Sequence, residues 1–339
     1  MTGKSVQKKK MRQLNIQSGP SDPNLKGASL NPGEIILERY QIVHLIQAGG
    51  MGEVYRAVDT AIGNEVALKI AHMSVMASPQ AHSMFKAEGE VLSAIAHDNV
   101  VGYVESGLDS KFGRACIVMD LVEGVSLEKR IHQEPLNENE LRELLVAVTR
   151  ALIVIHSAGI AHLDLSPSNI QLVGGEAGTP MLVDFGVSGQ NQRASDLGKG
   201  KFAGTLDFIS PEQLGMFAGP VDGRADIFSL GLIAVACCRG ETLPMGGTAE
   251  EAVAARTAKL DVSDIYPSLQ RVIQKMISTN PIDRQSSGNQ LLEELLSSGE
   301  SDRLGLGVDL PSAKNWRPAK VQSSNTVLGD LPVIPQQKH

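Results

Sequence analysis

Between residues 39 and 119 apolar and polar positions alternate in short runs separated by turns: Arg39–Ile46, Val54–Asp59, Glu65–Ala71 and Cys116–Met119. A two-residue period sends successive side chains to opposite faces, so these runs predict strands of a sheet. One segment breaks the period. Phe85, Val91, Leu92 and Ile95 fall at roughly helical spacing with charged residues between them, which predicts a single helix, Phe85–Ala96, inserted among the strands. From about Asn137 the pattern changes: Leu141, Leu144, Leu145, Val148, Leu152 and Ile155 recur at three- and four-residue intervals, the mark of an amphipathic helix. The stretch Ile227–Cys238 is apolar apart from Ser229 and reads as a core helix; it is far shorter than the ~20 residues that cross a bilayer. The expected fold is therefore α+β and two-lobed, a small β-rich lobe with one helix before a larger, mainly helical lobe. The two meet near Asp120–Gly124 and leave a cleft, where ligands preferentially bind.

The ends follow neither period. Residues 1–30 carry six basic residues and one acid, and residues 299–339 contain Gly305, Gly307, Pro311, Pro318, Pro332 and Pro335. The expected organisation is a basic disordered arm over 1–34, a folded domain over 35–298 (lobes about 35–120 and 121–298), and a flexible tail over 299–339. The basic arm has no apolar block behind it and does not read as a secretion signal. Overall, 31 Lys and Arg against 38 Asp and Glu leave a formal charge of −7, which argues against a nucleic-acid-binding protein. Three cysteines, two of them adjacent, supply neither a disulfide framework nor a four-ligand zinc site, so a cytoplasmic location fits.

Candidate chemistry gathers at the expected cleft. The segment Ile46-Gln47-Ala48-Gly49-Gly50-Met51-Gly52-Glu53-Val54 lies between two strand runs. Glycines let backbone N–H groups approach phosphate oxygens, although such hairpins are also common structural turns. In Val66-Ala67-Leu68-Lys69-Ile70 a lysine interrupts an apolar strand and needs an anionic partner unless it reaches solvent; Glu88 on the inserted helix can supply one. Farther on come His162-Leu163-Asp164-Leu165-Ser166-Pro167-Ser168-Asn169 and, fifteen residues after Asn169, Asp184 in Met181-Leu182-Val183-Asp184-Phe185-Gly186. Two carboxylates and an amide oxygen are hard donors suited to Mg²⁺.

In this order the motifs resemble those of the eukaryotic-like Ser/Thr protein kinases, most closely the bacterial branch with its Gly-Gly-Met-Gly-x-Val-Tyr loop. The resemblance spans about residues 39–296 and takes in Gly204-Thr205, Ser210-Pro211-Glu212, Asp222–Asp226 and Pro281-x-Asp283-Arg284. It implies a kinase fold and transfer of the ATP γ-phosphate to protein Ser or Thr hydroxyls, autophosphorylation included. The implied nucleotide site comprises Ile46, Gln47, Ala48, Gly49, Gly50, Met51, Gly52, Glu53, Val54, Ala67 and Lys69, with Met119 as gatekeeper and Asp120 to Val122 as hinge. Lys69 paired with Glu88 would hold the α and β phosphates, Asn169 and Asp184 would hold Mg²⁺, Asp164 would be the catalytic base, and Thr205 would steady it. A Glu212–Arg284 ion pair would anchor the substrate segment, and Asp226 would hold the catalytic-loop backbone.

Four positions depart from the family. Gln47 stands for the first loop glycine, Gln171 for an apolar residue beneath adenine, Leu163 for the arginine that meets a phosphorylated activation loop, and Ser166 for a lysine near the γ-phosphate. With Leu163 in place, and only Ser188 and Ser195 as acceptors over 187–203, activity independent of activation-loop phosphorylation is expected. Together the departures motivate an alternative, a pseudokinase acting as a nucleotide-binding scaffold; a small-molecule phosphotransferase sits poorly with Gly204-Thr205 and Ser210-Pro211-Glu212. Ser323, Ser324 and Thr326 in the tail offer acceptors whose phosphates would suit an Arg-lined reader.

Overall fold

In the computed structural model of the chain, residues 28–49, 52–76, 79–184 and 206–298 are described. Gly50, Met51, Gly204, Thr205, Ser188, Ser195 and the tail positions Ser323, Ser324 and Thr326 lie outside them, as do the side chains of Phe85 and Glu88.

The first lobe is an antiparallel sheet of β1 (Ile35–Ile36), β2 (Tyr40–Ala48), β3 (Gly52–Asp59), β4 (Glu65–Ala71), β5 (Tyr103–Asp109) and β6 (Arg114–Asp120), in the order β1-β2-β3-β4-β6-β5. Its central strands are covered on both faces. Ala67, Ile117 and Met119 join the large core shared with the helical lobe, while Val66, Leu68, Ile70, Cys116 and Val118 close a smaller core with Ile36 and Tyr40. Leu30 belongs to this smaller core and is 3% exposed, so the folded lobe takes in residues assigned above to the disordered arm. The expected helix starts earlier, at Pro79, runs to Ala94 (α2), and follows a one-turn helix, α1 (Met73–Met76).

The second lobe holds α3 (Leu127–Gln133), α4 (Glu138–Ser157), α5 (Arg224–Arg239), α6 (Ala249–Thr257), α7 (Pro267–Met276) and α8 (Gly288–Ser297), with a small sheet of β7 (Gly124–Ser126), β8 (Ile170–Val173) and β9 (Pro180–Leu182). Asn137 caps α4 through the amides of Asn139 and Glu140, and Glu140 returns a bond to the Asn137 amide, so the helix starts where its apolar stripe starts. Six residues of that stripe, Leu141 to Ile155, are 0% exposed; each such burial contributes roughly 1.5–3 kcal/mol. The apolar run at Ile227 forms α5, buried from Ala225 to Cys237 and ended by Gly240 at φ 73°. The lobes share one core, and Asn99–Val101 ties them: the Val101 amide donates to the Leu182 carbonyl at 3.0 Å and the Leu182 amide to Asn99 at 2.8 Å. No helix among the described residues is long and apolar enough to cross a membrane.

Candidate active site

Strand register sets the first half of the site. Lys69 on β4 lies opposite Val54 on β3 and Ile117 on β6, and Ala67 lies opposite Met119, so Val54, Ala67 and Met119 face the shared core at the mouth of the cleft. Gly52 is required where β3 meets β4: a Cβ there would stand 2.3 Å from the Ile70 carbonyl oxygen. The Lys69 ammonium, on a side chain 12% exposed, lies 3.1 Å from Asp184 Oδ1. That distance brings together two residues 115 positions apart and closes the cleft with a charge pair. Glu88 falls on α2, which packs against β5 and β6, and its side chain lies outside the described residues.

The second half is a loop held by one buried carboxylate. Asp226 in the first turn of α5 is 0% exposed; its Oδ2 accepts the His162 amide and the His156 ring, and its Oδ1 accepts the Leu163 amide, each at 2.8 Å. These bonds hold Leu163 at φ 61°, a left-handed conformation that is costly for leucine. Gly223, just before α5, makes room for the arrangement, since a Cβ there would sit 2.5 Å from the His156 ring. Asn169 then reaches back: its Nδ2 donates to the Asp164 carbonyl at 2.9 Å and to Asp164 Oδ2 at 3.2 Å, while its own carbonyl accepts the Val183 amide at 3.0 Å. Asp164, Asn169 and Asp184 are thereby joined through hydrogen bonds and one intervening residue. His162 is fully buried, and burial pushes its imidazole below the usual range.

A third group of bonds fixes the segment from Leu206 to Gly215. Glu212 and Arg284 form a bidentate pair at 2.6 and 2.8 Å with side chains 7% and 0% exposed, and Arg284 also donates to the carbonyls of Ser278, Thr279 and Arg224. Gln213 accepts from Ser210 and donates to the Leu163 carbonyl at 2.8 Å, linking this segment to the catalytic loop. Ser229 donates to Phe208 at 2.7 Å. Arg256, 2% exposed, donates to the carbonyls of Leu206, Ile209 and Met245. Burial lowers its pKa to about 10, so it remains charged at neutral pH. Sequence reasoning missed His156, Gln213, Ser229 and Arg256.

Glu53, expected at the nucleotide site, turns its side chain into the lobe. Its side chain is 1% exposed and committed to Arg114, Tyr55 and Ser29, because a carboxylate inside the lobe must find cationic and hydroxyl partners there. Among the other loop positions, Gln47 and Ala48 are exposed and Ile46 is 40% exposed, all at the end of β2. Asp120 is exposed where β6 ends, and Val122 is half-buried. Of the departures, Leu163 packs with Ala161, Ala225 and Val221, filling an apolar cluster where the family presents a cation. Ser166 is 5% exposed, with its hydroxyl 2.9 Å from that of Ser168. Gln171 is half-buried on β8 and its amide lies 3.4 Å from the Ser168 carbonyl.

The model of the protein kinase domain family matches residues 40–313. The serine/threonine-protein kinase pkn2 of Myxococcus xanthus is 30% identical over 283 residues, covering 79% of this chain and 34% of that protein. PknA of Mycobacterium tuberculosis is 28% identical over 303 residues, covering 87% of this chain and 69% of that protein. The chain thus spans about a third of one relative and about two thirds of the other. The kinase domain of Mycobacterium tuberculosis PknI superposes with a TM-score of 0.61 at 23% identity, covering 80% of this chain and 100% of that domain, a likeness of fold.

Proposed function

The chain belongs to the protein kinase domain family, and on that premise we propose that it is an ATP-dependent serine/threonine protein kinase of bacterial type, acting on protein substrates and on itself in the cytoplasm. The observation that supports this most directly is the meeting of Lys69 with Asp184 at 3.1 Å beside the Asp164–Asn169 contact at 3.2 Å. A cation for phosphate oxygens, hard oxygen donors and a carboxylate base are held by different elements around one cleft.

Mg²⁺ fits this donor set. It keeps few protein ligands and takes the rest from phosphates and water, and the residues that would hold it are Asp184 and Asn169. When bound, it offsets charge on the β- and γ-phosphate oxygens. The protein does the rest by position. Lys69 draws the α and β phosphates, with Glu88 as its partner on α2, and Asp164 accepts the proton of the incoming hydroxyl. Asn169 holds Asp164 in place by its two bonds, and Thr205 takes the steadying role that the family resemblance implies. The backbone from Leu206 to Gly215, fixed by Arg256, Glu212 and Gln213, presents the acceptor peptide. Leu163 offers no cation to a phosphorylated loop, so phosphatase treatment should leave most of the rate.

The test is transfer of radiolabelled γ-phosphate from Mg-ATP to the protein itself and to a generic basic protein, beside Asp164→Asn and Asp184→Asn. Loss of the base or of a metal ligand should lower the rate by roughly 10²–10⁴-fold. ATP binding without transfer in the wild type would instead favour a nucleotide-binding scaffold, the reading motivated by Gln47, Leu163, Ser166 and Gln171 together. Mass spectrometry of the same reaction shows whether Ser323, Ser324 or Thr326 is labelled, as docking of an Arg-lined reader on the tail requires.

A further inference from the structure

Glu53 directly follows the glycine-rich loop, and its neighbours across the sheet are Ala48 on β2 and Ile70 on β4. After Gly52 it is therefore the first residue of β3 with a side chain that can anchor the strand behind the loop. Its carboxylate is 1% exposed, and a carboxylate so placed is costly unless it is paired and its remaining lone pairs are bonded. Arg114 on β6, 5% exposed, supplies the charge at 3.0 Å and donates through Nε to the Ala71 carbonyl at 2.6 Å, where β4 ends. The Tyr55 hydroxyl donates a further bond to Glu53 at 3.1 Å.

The last partner comes from outside the sheet. The Ser29 amide donates to Glu53 Oε1 at 3.0 Å, and the Ser29 hydroxyl touches both Glu53 Oε2 and the Arg114 guanidinium. The Leu30 amide donates to the Tyr55 hydroxyl at 3.1 Å, and the Leu30 side chain is buried in the smaller core, so the segment is seated rather than draped. Ser29 itself is exposed and closes the ion pair from the solvent side. Burial pushes the Glu53 carboxyl up, and the bonds from Ser29, Arg114 and Tyr55 outweigh it and hold its pKa below the usual carboxylate range.

We infer that Ser29 is a positioning residue for the nucleotide: by capping the Glu53–Arg114 pair it fixes the backbone at Gly52 and Glu53, the root of the glycine-rich segment, and through it the affinity for nucleotide. The inference rests on the kinase reading above. Without the hydroxyl, water reaches the pair, Glu53 is free to turn outward, and the Gly52–Glu53 peptide moves with it. A segment ahead of the sheet thereby sets nucleotide affinity without touching nucleotide.

The experiment uses the full chain and Mg-ATP, with Ser29→Ala, Ser29→Thr and Ser29→Asp. Ser29→Ala should weaken ATP binding about tenfold, the equivalent of about 1.4 kcal/mol, with kcat at saturating ATP nearly unchanged. Ser29→Thr keeps the hydroxyl and should restore affinity, while Ser29→Asp sets a second carboxylate against Glu53 and should weaken binding further. Hydrogen exchange at amides 52–54 should speed up in the order Thr, Ala, Asp. Ser29→Ala and Ser29→Asp that bind ATP as the wild type does, with or without a lower melting temperature, would overturn the inference and leave the kinase reading standing. A wild-type protein that binds no nucleotide would overturn both.

Discussion

The two lobes hold their parts of the site by different means. In the sheet lobe the ladder does the positioning: Val54, Lys69 and Ile117 are neighbours across three strands, and their backbones are fixed whatever their side chains. Helices use up their own backbone groups internally, so a helical lobe must hold its loops with side chains that reach loop amides and carbonyls. Here Asp226 takes two amides, Arg284 donates to three carbonyls, and Arg256 donates to three outside its own helix besides that of Ala252 within it. The three are 0%, 2% and 3% exposed. Positioning in the helical lobe is therefore concentrated in a few buried charges, whereas in the sheet lobe it is spread over many backbone bonds. The Glu53–Arg114 pair lies where the ladder gives way to the glycine-rich loop, and there a buried charge pair takes over that task.

The largest expected effect sharpens this contrast. Glu212→Ala leaves Arg284 buried without its carboxylate and should destabilise the protein by about 3–5 kcal/mol. Glu65→Ala removes one of the two carboxylate partners of Arg56 in the sheet lobe, where the Glu65 and Arg56 side chains are 43% and 28% exposed, and should cost less than about 1 kcal/mol. Denaturant unfolding measures both, and equal losses would erase the distinction between the lobes.

The same contrast explains what the sequence revealed. The α4 stripe and the α5 run were readable because burial follows a period; Lys69, Asp164, Asn169 and Asp184 stood out as candidates because the proposed chemistry needs those residue types in a fixed order, and the structure brings them into contact in pairs. Strands β5 and β7–β9 escaped notice: β5 alternates between half-buried and exposed positions, and the other three are no longer than four residues. Arg256, Gln213 and Ser229 escaped for a different reason. Their partners include backbone carbonyls 21 to 50 positions away, and a carbonyl carries no residue identity that a motif could record. Arg256 also sits in a helix rich in alanine and glutamate, where an arginine reads as solvated. Ser29 was hidden by the basic composition of the residues before it, although Leu30 beside it is core.

Arg256 provides the next test. Arg256→Met keeps much of the side-chain volume but removes the donors to Leu206, Ile209 and Met245, and buried acceptors left without partners cost about 1–3 kcal/mol. The segment they hold follows Thr205, so the KM for a peptide acceptor should rise while the KM for ATP stays. Steady-state kinetics with each substrate varied in turn separates this from general loosening. A matched rise in both constants would place Arg256 with the fold as a whole and not with the acceptor segment.

The smallest effect concerns protons. His162 is 0% exposed beside the catalytic loop, and burial holds its pKa below the ordinary 6.5. As pH falls through 6.5 the unfolded chain takes up a proton at this position while the folded protein does not, so the unfolded state binds more protons and stability falls. The loss grows until the folded-state pKa is reached, and above 6.5 this residue leaves stability flat. His44 on β2 is also depressed, first by burial and then by Arg56, but it is only half-buried, so water is available to a charged ring without unfolding the sheet. Melting temperatures from about pH 7.5 to about pH 5.5 should therefore fall, and His44→Gln should leave most of that slope in place. His162→Gln, compared with itself across the same range, should flatten it, whatever the substitution costs at neutral pH. If His44→Gln flattens the curve as much, the half-buried imidazole is as tightly coupled to its lobe as the buried one. Concentrated positioning would then not be peculiar to the helical lobe.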